Sequence, residues 1–228
     1  MQRVAAITGG AGAIGAAIAA ALSHDGHAIA VLDREGEFAV DLARHGEVHA
    51  AASAVLEQHG RCDVLVHAAA CFDRAALADI DLETWRRVQA VNVEAAVWLC
   101  RAFAPGMAAR GFGRIVFITS DTVWNPPAPD LLPYVASKSA LEGVARSLAR
   151  ALGADGITVN CVEPGLTRTP AAQAGMPPEA FEAVRRAQAL PRSLVPDDVA
   201  GVVAFLASDA AAALTGQSLC ADGGLVLR

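Results

Sequence analysis

The sequence predicts an α/β domain built on one doubly wound parallel sheet of about seven strands, with helices on both faces. Short apolar runs rich in valine and isoleucine alternate with longer alanine-rich stretches of helical period, the pattern of a parallel sheet buried on both sides. The chain has 228 residues, 54% of them hydrophobic and 18% charged, enough for one substantial core. No internal repeat, charge block or low-complexity linker interrupts it, so residues 1–228 read as one domain.

In chain order, the first strand is Val4–Thr8, which runs through a glycine-rich turn into a helix over Ile14–Ser23. A second strand, Ala28–Leu32, is followed only six residues later by a third apolar run, Ala39–Asp41. A parallel crossover needs about a dozen residues, so this third strand is expected to be a stub reached without a helix. A helix over Arg44–Gln58 leads to the strand Val64–Ala68, and a long helix over Leu82–Ala109 leads to the strand Arg114–Thr119. The helix Tyr134–Leu152, the strand Thr158–Val162, the helices Glu179–Gln188 and Asp197–Ala207, and the strand Ser218–Ala221 complete the expected set. The proline-dense stretches 125–133 and 164–178 follow the fifth and sixth strands. Ligands of open α/β sheets sit beyond the carboxyl ends of strands, so these loops are the expected walls of a pocket.

Composition excludes several function classes. The net charge is −6, with no basic excess of the kind nucleic-acid binders carry. Five cysteines at 62, 71, 100, 161 and 220 contain no Cys-x-x-Cys pair, which argues against a disulfide framework or zinc site and for a reducing cytoplasm. Residues 4–22 run uncharged, but Thr8 and Gly9, Gly10, Gly12 and Gly15 interrupt an otherwise alanine-rich run, too weakly apolar for a membrane core. No membrane or nucleic-acid partner is expected, and no metal. His45 and His49 stand four apart on a helix with no third ligand suggested, and solvated side chains account for them; a hydrogen-bonded structural role is expected of His67.

The turn after the first strand reads Thr8-Gly9-Gly10-Ala11-Gly12-Ala13-Ile14-Gly15. Small residues between a strand and a helix let backbone approach a pyrophosphate, whose charge the free N–H groups and dipole of the helix stabilise. Asp33, 18 residues past Gly15 at the tip of the second strand, can accept from ribose hydroxyls and would repel a 2′-phosphate, which favours NAD over NADP. Arg34 beside it is a guanidinium that could receive that phosphate. The only tyrosine and the only lysine of the chain are Tyr134 and Lys138. Four apart on a helix they share a face, and a nearby ammonium, together with an oxidised nicotinamide, is expected to lower the tyrosine's titration and make it a general acid or base.

With these residues the chain resembles the short-chain dehydrogenase/reductase family over nearly its whole length. The resemblance rests on Thr8-Gly9 with Gly15, Asn92 within Val91-Asn92-Val93, Ser120 ending Ile118-Thr119-Ser120, Tyr134-x-x-x-Lys138, Asn160 with Pro164-Gly165, Phe205 to Asp209, Thr215-Gly216-Gln217 and Asp222-Gly223-Gly224. It implies a Rossmann-type fold and a nicotinamide-dependent oxidoreductase in which Ser120 holds the substrate oxygen against Tyr134. Lys138 would grip the nicotinamide ribose, and Asn92 would anchor a water leading to Lys138. Gly9, Ala13, Ile14, Gly15, Ala68 and Ala69 would line the cofactor, Asp41 and Leu42 would flank the adenine, and Pro164, Gly165 and Thr167 would line the carboxamide. Read without the family, Asn92 is equally a helix-packing residue and Ser120 a loop cap. Ala13 replaces the family's middle glycine, and His67-Ala68-Ala69-Ala70 stands where Asn-Asn-Ala-Gly is usual. The family also implies a homotetramer or homodimer built from the helices around Asn92 and Tyr134.

Phe72, Trp124, Leu132, Met176 and Phe181 fall in the expected pocket loops, an apolar lining suited to a secondary alcohol or ketone with an apolar or aromatic body. The same side chains could instead pack the loops down, and Arg168 or Arg185 could select an anion. The stretch from Gly60-Arg61-Cys62-Asp63 onward, including Ala104 to Met107 and the end Gly224-Leu225-Val226, is similar to the family's 1-phenylethanol and pyridoxal 4-dehydrogenase members. Two other readings stay open: an NADPH-dependent 3-oxoacyl thioester reductase, and a protein that binds dinucleotide as a sensor or scaffold without turnover.

Overall fold

The computed structural model describes residues 2–227. Seven strands form one sheet in the order β3-β2-β1-β4-β5-β6-β7: β1 (Val4–Thr8), β2 (Ala28–Asp33), β3 (Phe38–Ala39), β4 (Val64–His67), β5 (Gly113–Ile118), β6 (Ile157–Pro164) and β7 (Ser218–Ala221). Every neighbouring pair is parallel. The order reverses between β1 and β4, so the crevice where such sheets bind ligands opens between their carboxyl ends.

Alternation along the strands sorts the core into two layers. Ala6, Ala30, Leu32, Leu65, Ile115, Phe117, Val159 and Cys161 face one side, covered by α2 (His45–His59), α4 (Ala95–Arg110) and α5 (Leu132–Leu152). Ala5, Ile7, Val64, Val66, Val116, Ile118 and Val162 face the other, covered by α1 (Ala13–His24) and α8 (Pro196–Ala207). Each fully buried leucine, isoleucine or phenylalanine contributes on the order of 2 kcal/mol. Among the described residues no helix is long and apolar enough to cross a membrane.

Three expectations need correction. The third strand is the helix-free stub expected, but it pairs Leu32 with Phe38 and Asp33 with Ala39; Asp41 lies beyond it, because only Phe38 and Ala39 reach the edge of β2. The long fourth helix is not continuous. It divides into α3 (Leu82–Gln89), a wider turn of π geometry over Ala90–Glu94, and α4, the Ala95 N–H reaching back five residues to the Ala90 carbonyl. Asn92 at the centre of that turn is fully buried, clamped on the backbone of Cys71. The stretch 164–178 is not all loop: α6 (Pro170–Gly175), capped by the Thr169 side chain, precedes α7 (Pro178–Ala187). The other helix and strand ends coincide with expectation or shift by one or two residues, β6 running on to Pro164.

Candidate active site

The nucleotide half of the site is built by β1, its turn and α1. Gly9 has φ +69°, and a Cβ there would stand 2.7 Å from the Ala69 backbone; a Cβ on Gly15 would stand 2.1 Å from the Gly9 carbonyl. Glycine is therefore required twice, once by the backbone angle and close approach of the loop after β4, once by the entry into the helix. Ala13 needs no such freedom, since it opens α1 in ordinary helical geometry. The first turn of α1 has no side-chain cap and no acidic residue, so its free N–H groups point at the place an anion would occupy. Asp33 reaches across this loop, accepting from the Ala11 N–H at 3.0 Å and from its neighbour Arg34 at 2.8 Å.

A loop of this shape fits a dinucleotide: a glycine cradle that a Cβ would fill, an uncapped helix terminus, and a carboxylate beside it. Ala68 and Ala69 wall it from the β4 side, Ile14 from α1. Leu42 is 8% exposed and adjoins the expected adenine side. Asp41 is engaged locally, its carboxylate accepting from Ala43 N–H and pairing with Arg44 at 3.3 Å, so it organises the entry to α2. His67 is fully buried, with Nδ1 2.9 Å from the Thr8 hydroxyl, and that hydroxyl accepts from the Ala69 N–H. The backbone of Val91 and Asn92 lies near its ring, and its Nε2 makes no hydrogen bond. Burial, reinforced by the charge of Lys138, pushes its titration down to about 3, so it is a neutral strut between the nucleotide turn and the π turn.

The half of the site expected to be catalytic lies beyond β5 and on the first turns of α5. Tyr134 is 9% exposed and Lys138 is 1% exposed, and they share one face as their spacing requires. The Lys138 ammonium sits 5.5 Å from the centre of the Tyr134 ring and donates to the Ile118 carbonyl at 2.7 Å. Burial lowers its titration to about 8. The Ser120 hydroxyl lies close enough to the Tyr134 phenol to influence its titration, so the three side chains face one place. The expected lowering of Tyr134 is reversed in the protein alone: burial, aided by the charge of Asp121, pushes it up to about 12, against the opposing influence of the nearby Ser120 hydroxyl. The Lys138 ammonium, which donates to a backbone carbonyl, does not offset this rise. Asn92 is more occupied than expected. Its Oδ1 accepts from Cys71 N–H, and its Nδ2 donates to the Cys71 carbonyl and to the Ser137 hydroxyl at 2.9 Å, so its side chain braces the loop after β4 against α5.

Of the carboxamide-side residues, Pro164 ends β6, Gly165 N–H donates to Ala221 O at 3.1 Å, and the Thr167 hydroxyl donates back to the Gly165 carbonyl. Asn160 holds the loop before β7 through Leu214 O and Gln217 N–H. Phe72 meets Tyr134 edge-on, ring centres 4.4 Å apart, and remains 52% exposed. Trp124 is about half exposed, its indole N–H on the buried Glu163 carboxylate. Leu132 at the start of α5 is exposed, and Met176 is half-buried. Phe181 is 8% exposed, packed beneath the Arg168 guanidinium at 5.7 Å. Sequence reasoning missed Asp121, whose carboxylate accepts from the Ser120 hydroxyl at 3.3 Å; the signal is an acid directly after the motif serine. His45 stacks edge-on against Trp98, and His49 lies beside Ser53.

Comparison with known proteins agrees with this geometry. A family model described as Enoyl-(Acyl carrier protein) reductase matches residues 9–226. D-threitol dehydrogenase of Mycolicibacterium smegmatis is 32% identical over 244 residues, covering 99% of this chain and 94% of the relative. The structure of a short-chain type dehydrogenase/reductase from Mycobacterium ulcerans superimposes with a TM-score of 0.91 at 30% identity, covering 100% of this chain and 91% of that one. A blue fluorescent protein from a metagenomic library, in complex with NADPH, gives 0.88 at 33% identity, covering 99% and 98%.

Proposed function

The chain belongs to the short-chain dehydrogenase/reductase family, and from that premise we propose that it is an NAD-dependent oxidoreductase interconverting a secondary alcohol and a ketone with an apolar or aromatic body. The observation that carries the reading is the convergence of Ser120, Tyr134 and Lys138 at the carboxyl end of β5, with the exposed Phe72 ring set against Tyr134. Preference for NAD rests on Asp33, whose carboxylate spans the nucleotide turn and would repel a 2′-phosphate. Gly9, Ala13, Ile14, Gly15, Ala68 and Ala69 would hold the dinucleotide, and Lys138, Pro164, Gly165 and Thr167 its nicotinamide end. When bound, the nicotinamide supplies or accepts a hydride and, oxidised, adds a positive charge.

The protein's own part is proton handling and orientation. Tyr134 takes the alcohol proton or returns it to the carbonyl oxygen. Ser120 donates to that same oxygen and stabilises the charge that builds there. Lys138, desolvated and fixed by the Ile118 carbonyl, sits between the Tyr134 ring and the cofactor end. Phe72, Trp124 and Leu132 offer the apolar surface for the substrate's body.

A polyol substrate is the second reading, favoured by the likeness to D-threitol dehydrogenase. A panel of 1-phenylethanol, acetophenone, threitol and a 3-oxoacyl thioester, followed by NADH and NADPH absorbance, separates the readings. The highest kcat/KM is expected for the aromatic pair with NAD; a preference for NADPH defeats the Asp33 argument, and a preference for threitol the apolar lining. Tyr134→Phe is expected to lower kcat by roughly 10²–10⁴ while cofactor binding persists. Full turnover in that variant would remove the phenol from the mechanism and the proposal with it.

A further inference from the structure

Asp121 opens the single turn of 3-10 helix Asp121–Val123 and is 7% exposed. The Ser120 oxygen already accepts from the Thr122 N–H at 3.2 Å and the Thr122 hydroxyl at 2.9 Å. The one proton Ser120 has to give is directed at Asp121 Oδ1, 3.3 Å away. A substrate oxygen in this site must compete with that carboxylate for the same proton. We propose that Asp121 is a positioning residue that decides which way the Ser120 hydroxyl points, and so whether Ser120 donates to the substrate oxygen.

The charges around it make the choice reversible. Tyr134 faces Asp121 from α5, Glu163 from β6, and Asp222 from the turn after β7. Asp222 is itself buried and accepts from the Gly224 and Val226 N–H groups, and Glu163 accepts from the Trp124 indole and the Cys220 thiol. Burial, with the charge of Asp222 next, pushes the Asp121 carboxyl up to about 6. Ionised, it can only accept, and it holds the Ser120 proton. Protonated, it is a weak acceptor, and the hydroxyl turns to the stronger acceptor, the oxygen on which charge develops. The sign follows: the raised carboxyl competes above its titration and releases Ser120 below it.

The inference rests on the reading of Ser120 as the donor to the substrate oxygen, so both are tested together. The wild-type kcat/KM for acetophenone reduction is expected to rise about tenfold from pH 7.5 to pH 5, with its midpoint near 6. Asp121→Asn should remove that limb and move the alkaline limb assigned to Tyr134 to lower pH, because a charge that opposes phenolate formation is gone. A second readout needs no turnover: carbon-13 NMR of protein labelled at the aspartate carboxyls should show one resonance titrating between pH 5 and 7 that Asp121→Asn deletes. A wild-type profile with no limb in that range, a profile of Asp121→Asn that superimposes on the wild type, or the absence of the titrating resonance overturns the proposal. Should Ser120→Ala keep full activity, the reading of Ser120 falls first, a result distinguishable from an impaired Ser120→Ala beside an unaltered Asp121→Asn.

Discussion

A lysine enclosed to 1% exposure donates its ammonium to the Ile118 carbonyl, and the loss of water brings its titration down to about 8. The same desolvation raises the neighbouring phenol, so the protein alone holds Tyr134 neutral, with its proton in hand. At the same scale, Gly9 answers to a different constraint. Its positive φ and the 2.7 Å separation of a notional Cβ from Ala69 mean that Gly9→Ala adds strain and pushes apart the loops after β1 and β4. Destabilisation of about 1–3 kcal/mol is expected, with weakened NADH binding by fluorescence titration. Unchanged melting and unchanged binding would contradict the close approach described.

At the scale of elements, the π turn and the foot of the sheet show how side chains shape backbone. Widened turns inside helices occur often at functional sites; here the extra residue carries Asn92 inward to clamp Cys71 and Ser137. Helical periodicity alone cannot reveal this, because the residues on either side continue the helix. At the opposite end, the buried Asp63 binds Val4 N–H, Arg61 and Arg110, joining β1, α4 and the start of β4. Burial pushes its carboxyl up, but the hydrogen bonds from Arg61 and Val4 and the charges of Arg61 and Arg110 outweigh it and hold it below its usual value. A depressed carboxyl contributes stability above the ordinary carboxylate range that is lost as pH falls through the folded value. Asp63→Asn is therefore expected to cost about 2 kcal/mol in urea unfolding at pH 7, a deficit that shrinks in acid. A deficit constant with pH would mean that charge is not what Asp63 contributes.

For the whole molecule, the strand order puts the nucleotide turn after β1 beside the loop after β4 and leaves the catalytic serine one strand further on. That order makes one site out of residues scattered from Gly9 to Thr167. A homotetramer or homodimer built on the helices around Asn92 and Tyr134 is expected in solution, since Leu82 and Trp85 on α3 stay 60% and 36% exposed and alanine-rich helix faces allow close approach. Size-exclusion chromatography with light scattering should give two or four times the 23.4 kDa chain. A single species of chain mass would reject this.

Local pattern was enough for the strands and most of the helices, the helix-free stub beside β2, the glycine turn with Asp33, and the pairing of the lone tyrosine with the lone lysine, because each depends on residues a few positions apart. Contacts between distant segments decided the rest. Asp121 meets Asp222 and Glu163 only when β5, β6 and β7 lie side by side, His67 reaches the π turn only across the sheet, and the Lys138 ammonium donates to the carbonyl of the distant Ile118. Burial and long-range neighbours set the protonation of a side chain, and neither is written into the spacing of the chain.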